Sequence, residues 1–252
     1  MMDHLASILE LDGSENKFEW NRDLANNYSS LLLTNGRLLN ALIKIGYKAT
    51  MGVAAALTEL IQQRLKGFYS NIDTAREFAP KIESLWAGAV DPLYMKNLDF
   101  DYKYLDENKS STPYISNWFI LNYVAGRYIS NSYYVHEFLV NLSMLARHLM
   151  PNREAFDNWF SGTMRKTAET FPCLYSYSDL NWKEDKNARY DYSADAPVPQ
   201  EFFFDPEFRY SEEAAKPVLN AFLRSLDYAN NPWLHTPEEM MEKGFKGTPY
   251  EV

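Results

Sequence analysis

Residues 50–68, TMGVAAALTELIQQRLKGF, decide the fold class of this chain. Their apolar side chains recur at three- and four-residue steps, which predicts an α-helix. They leave only a thin polar stripe, as is typical of a helix in the centre of a protein core. The run is interrupted by Thr58 and Glu59 and is shorter than the ~20 apolar residues that a membrane-spanning helix needs. We therefore expect a central core helix and no association with a membrane.

Helical periodicity continues on both sides of this stretch. It predicts helices near residues 18–46, 71–89, 115–129, 132–150 and 152–171, with a possible break at Asn35-Gly36 and an end at Gly46. Periodicity then fails until a helix resumes at Ser211, and a last helix is expected after Thr236. Strands do not alternate with helices. The sequence therefore predicts an all-α fold, a single helical-bundle-like domain with a long irregular acidic segment near the C-terminus.

Four parts follow from this pattern. We expect a flexible N-terminus at 1–17, a helical bundle at 18–172, an irregular acidic-aromatic segment at 173–210, and C-terminal helices that pack on the bundle at 211–252. Residues 201–204 have a strand-like pattern inside the irregular segment. A structureless connection usually stops at ~12–15 residues, so a segment this long favours either a function or a wrapping tail.

Composition excludes several classes of function. The 252 residues carry a net charge of −9, which argues against nucleic acid as a direct ligand because phosphate binding needs a basic face. The single cysteine, Cys173, excludes an intrachain disulfide and suggests a reducing compartment. The first residues lack the pattern of a signal peptide. We expect a cytoplasmic protein.

The sequence contains no local motif for catalysis or metal binding. It lacks HExxH, CxxC, EF-hand and glycine-rich phosphate-binding patterns. His136 and His148 are twelve residues apart and cannot share a helix face, so His136 is expected to be a hydrogen-bonded polar residue. Cys173 has apolar neighbours and is expected to be a buried structural thiol. We predict no catalytic residue, no metal ligand and no cofactor.

The acidic segment holds the candidate binding residues. Residues 179–213 contain ten acids and four bases, so they carry −6 of the net charge of −9, and they also contain eight aromatic rings. Carboxylates among large rings suit recognition of a basic protein, since rings provide anchors and charge steers the encounter. The phenylalanines at 202–208 are expected to dock the segment onto its own helices. The predicted partner-binding residues are Trp182, Asp185, Tyr190, Asp191, Tyr192, Asp195 and Glu201.

Two regions resemble a known family. They are NGRLLNAL at 35–42, extending to Ala56-Leu57, and a C-terminal pattern of FDP at 204–206, SLDY at 225–228, NP at 231–232, TPEEM at 236–240 and GFKGTPY at 244–250. Together they resemble helical immunity proteins encoded beside bacterial contact-dependent or type VI secreted toxins. The resemblance implies stoichiometric neutralisation of one cognate toxin, without turnover. With no signal peptide, it further implies a toxin that acts in the cytosol.

Two other functions remain open at this stage. The first is a helical enzyme with dispersed catalytic residues, which a perturbed carboxylate or His136 in a deep pocket would support. The second is a scaffold or structural protein, in which the rings of the acidic segment pack on its own helices and Phe202, Phe203, Phe204 and Phe208 are buried. A homo-oligomer is compatible with all three hypotheses.

Overall fold

The computed structural model describes residues 5–7, 9–11, 18–66, 74–99, 112–174 and 190–252, and for residues 74–77 it describes the backbone. Within these ranges the regular elements are helices, and β-pairing is limited to the isolated bridges Ile45–Pro172 and Met95–Leu234. The all-α prediction is confirmed. The elements are α1 (Arg22–Ser29), α2 (Gly36–Leu42), α3 (Tyr47–Leu65), α4 (Thr74–Val90), a 3₁₀ turn (Pro92–Tyr94), α5 (Pro113–Ile129), α6 (Val135–Leu149), α7 (Arg153–Thr170), α8 (Glu201–Phe204), α9 (Glu212–Ser225) and α10 (Pro237–Glu242).

Side-chain caps fix where most of these helices begin. An oxygen of the residue before the helix accepts a backbone N–H of the first turn, which satisfies a donor that the helix itself cannot pair. At α10 the cap is reciprocal, since Glu239 in turn accepts the N–H of Thr236. The capping residues are Asn21, Asn35, Thr112, Asn152, Ser211 and Thr236.

Helix α3 lies in the centre of the core, as its sequence predicts. It contacts α4, α5 and α6, and its three consecutive alanines at 54–56 are at most 1% exposed. Its buried threonines keep their hydroxyls satisfied within the helix, because Thr50 donates to Gly46 O and Thr58 to Ala54 O. Small side chains along α3 allow its neighbours to approach closely.

The C-terminal helices pack on the end of α4 and on the 3₁₀ turn. Leu219 and Leu223 of α9 share an apolar cluster with Val90 and Tyr94. Backbone hydrogen bonds join the same regions, since His235 N donates to Tyr94 O at 2.9 Å. Residues 211–252 are therefore held against the bundle by both apolar packing and backbone pairing.

Three local features differ from expectation. Leu5, Leu9 and Leu11 are buried in the main core, so the described residues of the N-terminus do not form a flexible tail. Gly46 is the N-cap residue of α3 and does not end the preceding helix, which stops at Leu42. Residues 201–204 form α8 and not a strand, because Phe202 N and Phe203 N donate to the carbonyls three residues earlier.

None of the helices in the described part of the chain combines the length and the apolar character required to cross a bilayer.

Candidate functional site

The described part of the acidic segment forms a strap, residues 190–210, across the helical bundle. Tyr190 N donates to Asn131 O at 2.8 Å, and Val198 N donates to Ala89 O at 3.1 Å. Farther along, Lys166 Nζ on α7 donates to Phe202 O at 3.2 Å. The strap therefore runs from the start of α6, past the end of α4, to the side of α7.

Phenylalanines anchor the strap in the core. Phe202, Phe203 and Phe204 are 2%, 6% and 3% exposed, and Phe208 is partly buried. The Phe203 ring lies 5.6 Å from that of Trp86 on α4. The prediction that these rings dock the segment onto its own helices is confirmed.

A tyrosine stack holds the beginning of the strap. The Tyr47 ring lies between those of Tyr128 and Tyr190, with both centroid distances at 4.6 Å. Tyr190 is 3% exposed, so its ring contributes to internal packing and is not an accessible anchor in this structure. Tyr192 lies at the end of the stack, 6.3 Å from Tyr47, and stays half-buried. Cys173, also half-buried, places its Sγ 3.6 Å from the Tyr190 hydroxyl.

Asp195 of the strap caps the N-terminus of α3. Its Oδ2 accepts the backbone N–H groups of Tyr47 and Lys48, the latter at 3.2 Å. Gly46 provides no capping side chain, and a Cβ there would lie 3.0 Å from Asp195 Oδ2. Burial raises the pKa of Asp195, although the two N–H bonds oppose this. The N-terminus of α3 is therefore capped by a residue that is distant in sequence, whereas the capping residue normally precedes its helix directly.

Lys48 and Asp91 form a second polar pair beside this cap. The Lys48 side chain is 10% exposed, and its Nζ lies 3.7 Å from Asp91 Oδ2. Burial lowers the pKa of Lys48 and raises that of Asp91. Both residues line an open cleft of about 610 Å³ that Lys216, Lys246 and Glu251 also border. The sequence analysis did not single out this pair, although a lysine in the first turn of an otherwise apolar helix was a signal.

The remaining predicted site residues divide by exposure. Asp191 is exposed, and its Oδ1 accepts the N–H of Ser193. Glu201 is half-buried at the start of α8. Trp182 and Asp185 lie outside the described residues. The structure thus brings Tyr190, Tyr192 and Asp195 together at the N-terminus of α3 and places Glu201 farther along the strap.

The other residues considered for chemistry have internal partners. His136 is 3% exposed, with its Nε2 3.2 Å from Thr50 Oγ1 and its Nδ1 3.3 Å from Tyr133 O, so it is a hydrogen-bonded polar residue as expected. Burial lowers the pKa of His136 to about 4. Among the residues described, no group of three or more His, Cys, Asp and Glu side chains is arranged to hold a metal ion.

A scan against protein-family models, a search of curated proteins and a search of solved structures each gave no match to this chain.

Proposed function

We propose that this chain is a protein-binding inhibitor, which neutralises one basic protein partner by stoichiometric binding. One observation carries the proposal: the strap is fixed to the bundle by its rings, while four carboxylates on and directly after it remain exposed. The resemblance to helical immunity proteins supports a cognate toxin that acts in the cytosol as that partner.

Charge is concentrated in the part of the segment that the structure describes. Residues 179–189 contain three acids and three bases, whereas residues 190–213 contain seven acids and one base, so the latter carry the whole excess of −6. The base, Arg209, donates to the carbonyls of Pro206 and Phe208. The electrostatic field of these negative charges attracts a positively charged surface over about one Debye length, which is about 8–10 Å at physiological salt. The exposed acids are Asp191, Glu207, Glu212 and Glu213.

Anchoring of the strap favours binding as well as folding. Tyr190, Val198 and Phe203 are buried at 3%, 1% and 6% exposure, so the backbone between them is already ordered. A surface that is ordered before it meets its partner loses less conformational entropy on association. The half-exposed Tyr192 beside Asp191 provides an aromatic contact next to a charge, a combination common in interfaces.

A direct test starts from the gene neighbourhood in the native host. The tagged full chain is co-expressed with the product of each adjacent gene, and growth, complex stoichiometry and salt dependence are measured. We expect one basic protein that is toxic alone, harmless with this chain, and bound in a fixed ratio. If no neighbouring product is toxic or bound, the proposed function is wrong.

Charge variants then test the surface. Neutralising the four exposed acids together (Asp191→Asn, Glu207→Gln, Glu212→Gln and Glu213→Gln) should slow association several-fold and flatten its salt dependence, because rim charges act mainly on the on-rate. The matched control neutralises four exposed acids away from the strap, Asp23 on α1, Glu154 on α7, and Glu238 and Glu242 on α10. Equal association rates for the two variants would mean that the interface does not lie on the strap.

The cleft at Lys48 supports a second candidate function. A lysine whose pKa is lowered by burial has a larger neutral fraction at a given pH than an exposed lysine, and its neutral amine can attack a carbonyl carbon, releasing water and forming a Schiff base. Under this hypothesis, borohydride with glyceraldehyde at neutral pH labels Lys48 ahead of the exposed Lys216 and Lys246 of the same cleft. If the exposed Lys216 and Lys246 are labelled before Lys48, this second function is wrong, and Lys48 is a structural partner of Asp91.

A further inference from the structure

A groove between α2, α6 and α7 lies apart from the strap residues discussed above. It has a volume of about 910 Å³, near the upper end of the roughly 300–1,000 Å³ that small-molecule sites occupy. Phe156, Phe160, Met164 and Ala168 of α7 follow one another at four-residue steps along it. At 1.5 Å per residue this row is about 18 Å long.

The floor of the groove is apolar and concave. Phe156 and Met164 are buried at 1% and 6% exposure, and Phe160 and Ala168 are half-buried beside them. Leu38 of α2 and Met144 of α6 complete the apolar lining. Because the deepest members of the floor are already buried between helices, the groove accepts a thin apolar chain better than a broad surface.

The rim of the groove is basic in a chain that is acidic overall. Four cations and two anions line it, so its net charge is +2 against −9 for the whole chain. Arg147 is paired with Asp157 through two contacts at 2.7 and 2.8 Å. Arg37, Lys44 and Arg165 are exposed and have no ion pair with any described residue.

We propose that this groove binds a free long-chain carboxylate, with its alkyl chain along the row of α7 and its carboxylate among Arg37, Lys44 and Arg165. Removal of the alkyl chain from water along the floor supplies most of the affinity. These three cations, which form no ion pair with the part of the chain that the structure describes, select a negative head group, since guanidinium and ammonium groups form the stronger, charge-assisted hydrogen bonds with carboxylates. Binding here is independent of the proposed inhibitor function and uses none of the strap acids.

Methionine methyl NMR of the full chain tests this directly. Dodecanoate below its micelle concentration is the probe, and Met144 and Met164 report on the groove. Their methyl signals should shift in a saturable manner, while that of Met240, buried in the C-terminal cluster, should not. Absence of a saturable shift at millimolar dodecanoate would overturn the proposal.

Two comparisons separate head-group recognition from simple apolar binding. Dodecyltrimethylammonium, with the same chain and the opposite charge, should bind at least about tenfold more weakly than dodecanoate. Reversing two rim charges (Lys44→Glu with Arg165→Glu) should weaken dodecanoate about tenfold, whereas the exposed control pair Arg22→Glu with Lys243→Glu should not. Equal affinity for both head groups, or an equal loss in both variants, contradicts the proposal.

A filled groove provides the last control. Ala168→Trp should abolish the Met144 and Met164 shifts while the thermal unfolding midpoint stays within a few degrees of the parent chain. If dodecanoate still binds this variant with unchanged affinity, the alkyl chain does not lie along α7. An acidic amphipathic peptide that binds in the groove where dodecanoate does not would likewise replace the long-chain carboxylate as its occupant.

Discussion

Gly52 provides the sharpest test of how the strap meets the central helix. It lies inside α3, where replacing glycine by alanine normally stabilises a helix by about 1 kcal/mol. Here the ring of Phe203 occupies the space that the new methyl group needs. An alanine Cβ would lie 2.8 Å from Phe203 Cε2, 3.0 Å from its Cζ and 3.4 Å from Val198 Cγ1.

The expected magnitude follows from two opposing effects. Forcing a methyl group into a packed core lowers the free energy of unfolding by about 1–3 kcal/mol, and the gain in helix propensity offsets about 1 kcal/mol of this. Gly52→Ala should therefore destabilise the protein by about 1 kcal/mol. Gly162→Ala in α7 is the matched control, since no heavy atom lies within 4 Å of its Cβ position, and it should stabilise by about 0.5–1 kcal/mol.

Urea denaturation of both variants measures this difference. With an unchanged m-value, the midpoints should move in opposite directions. In a double-mutant cycle, Gly52→Ala should lower the free energy of unfolding less in the Phe203→Leu background than in the parent chain, because a smaller and more flexible side chain leaves room for the methyl group. If Gly52→Ala proves as stabilising as Gly162→Ala, Phe203 does not pack on α3 and the strap does not lie as described.

Three further changes test single groups around α3. Because the pKa of His136 is lowered from 6.5 to about 4, the unfolded chain binds a proton in this pH range that the folded chain does not bind. The free energy of unfolding should therefore fall by about 3 kcal/mol from pH 6.5 to pH 4. Urea titrations of His136→Gln should lack this fall, and an equal dependence of the free energy of unfolding on pH in that variant would contradict the reasoning. Asp195→Ala should lower the free energy of unfolding by about 1–2 kcal/mol and Asp195→Asn, which keeps an acceptor, by less than about 0.5; equal losses would mean that the cap is not the important contact. Tyr47→Phe removes the hydroxyl that donates to Tyr128 O at 2.8 Å, and thermal and urea unfolding should both report a loss of about 1 kcal/mol, whereas no loss would mean that water satisfies this carbonyl equally well.

Most of the helical framework could be predicted from local pattern. The apolar run at 50–68 identifies the central helix, and Pro151 predicts that α6 ends near residue 150, one residue after its observed end at Leu149. Caps such as Ser211 and Thr236 could be predicted because their oxygen is close in sequence to the N–H that it accepts. Such signals depend only on neighbours along the chain, so they can be predicted from the sequence alone.

The features that were missed depend on partners far apart in sequence. Gly46 was expected to end a helix because glycine often does so, yet it is the N-cap residue of α3, and Asp195 accepts the N–H of the next residue, Tyr47, from 148 residues away. Tyr190 was expected at the surface, yet it is buried against the rings of Tyr47 and Tyr133, which are distant from it in sequence. The groove beside α7 combines residues of three helices, so no local pattern indicates it.

The long-range cap on α3 also sets an order of events during synthesis. Tyr47 and Asp195 are 148 residues apart, and at 5–20 residues per second the ribosome needs roughly 7–30 seconds to pass from one to the other. For that period the emerging chain contains its central core helix without the Asp195 cap and without the Phe203 ring beside Gly52. Contacts of such sequence separation also form slowly once the chain is complete. Chaperone engagement of nascent chains should therefore be strongest before the strap is synthesised and should decline once residues 190–204 have left the ribosome.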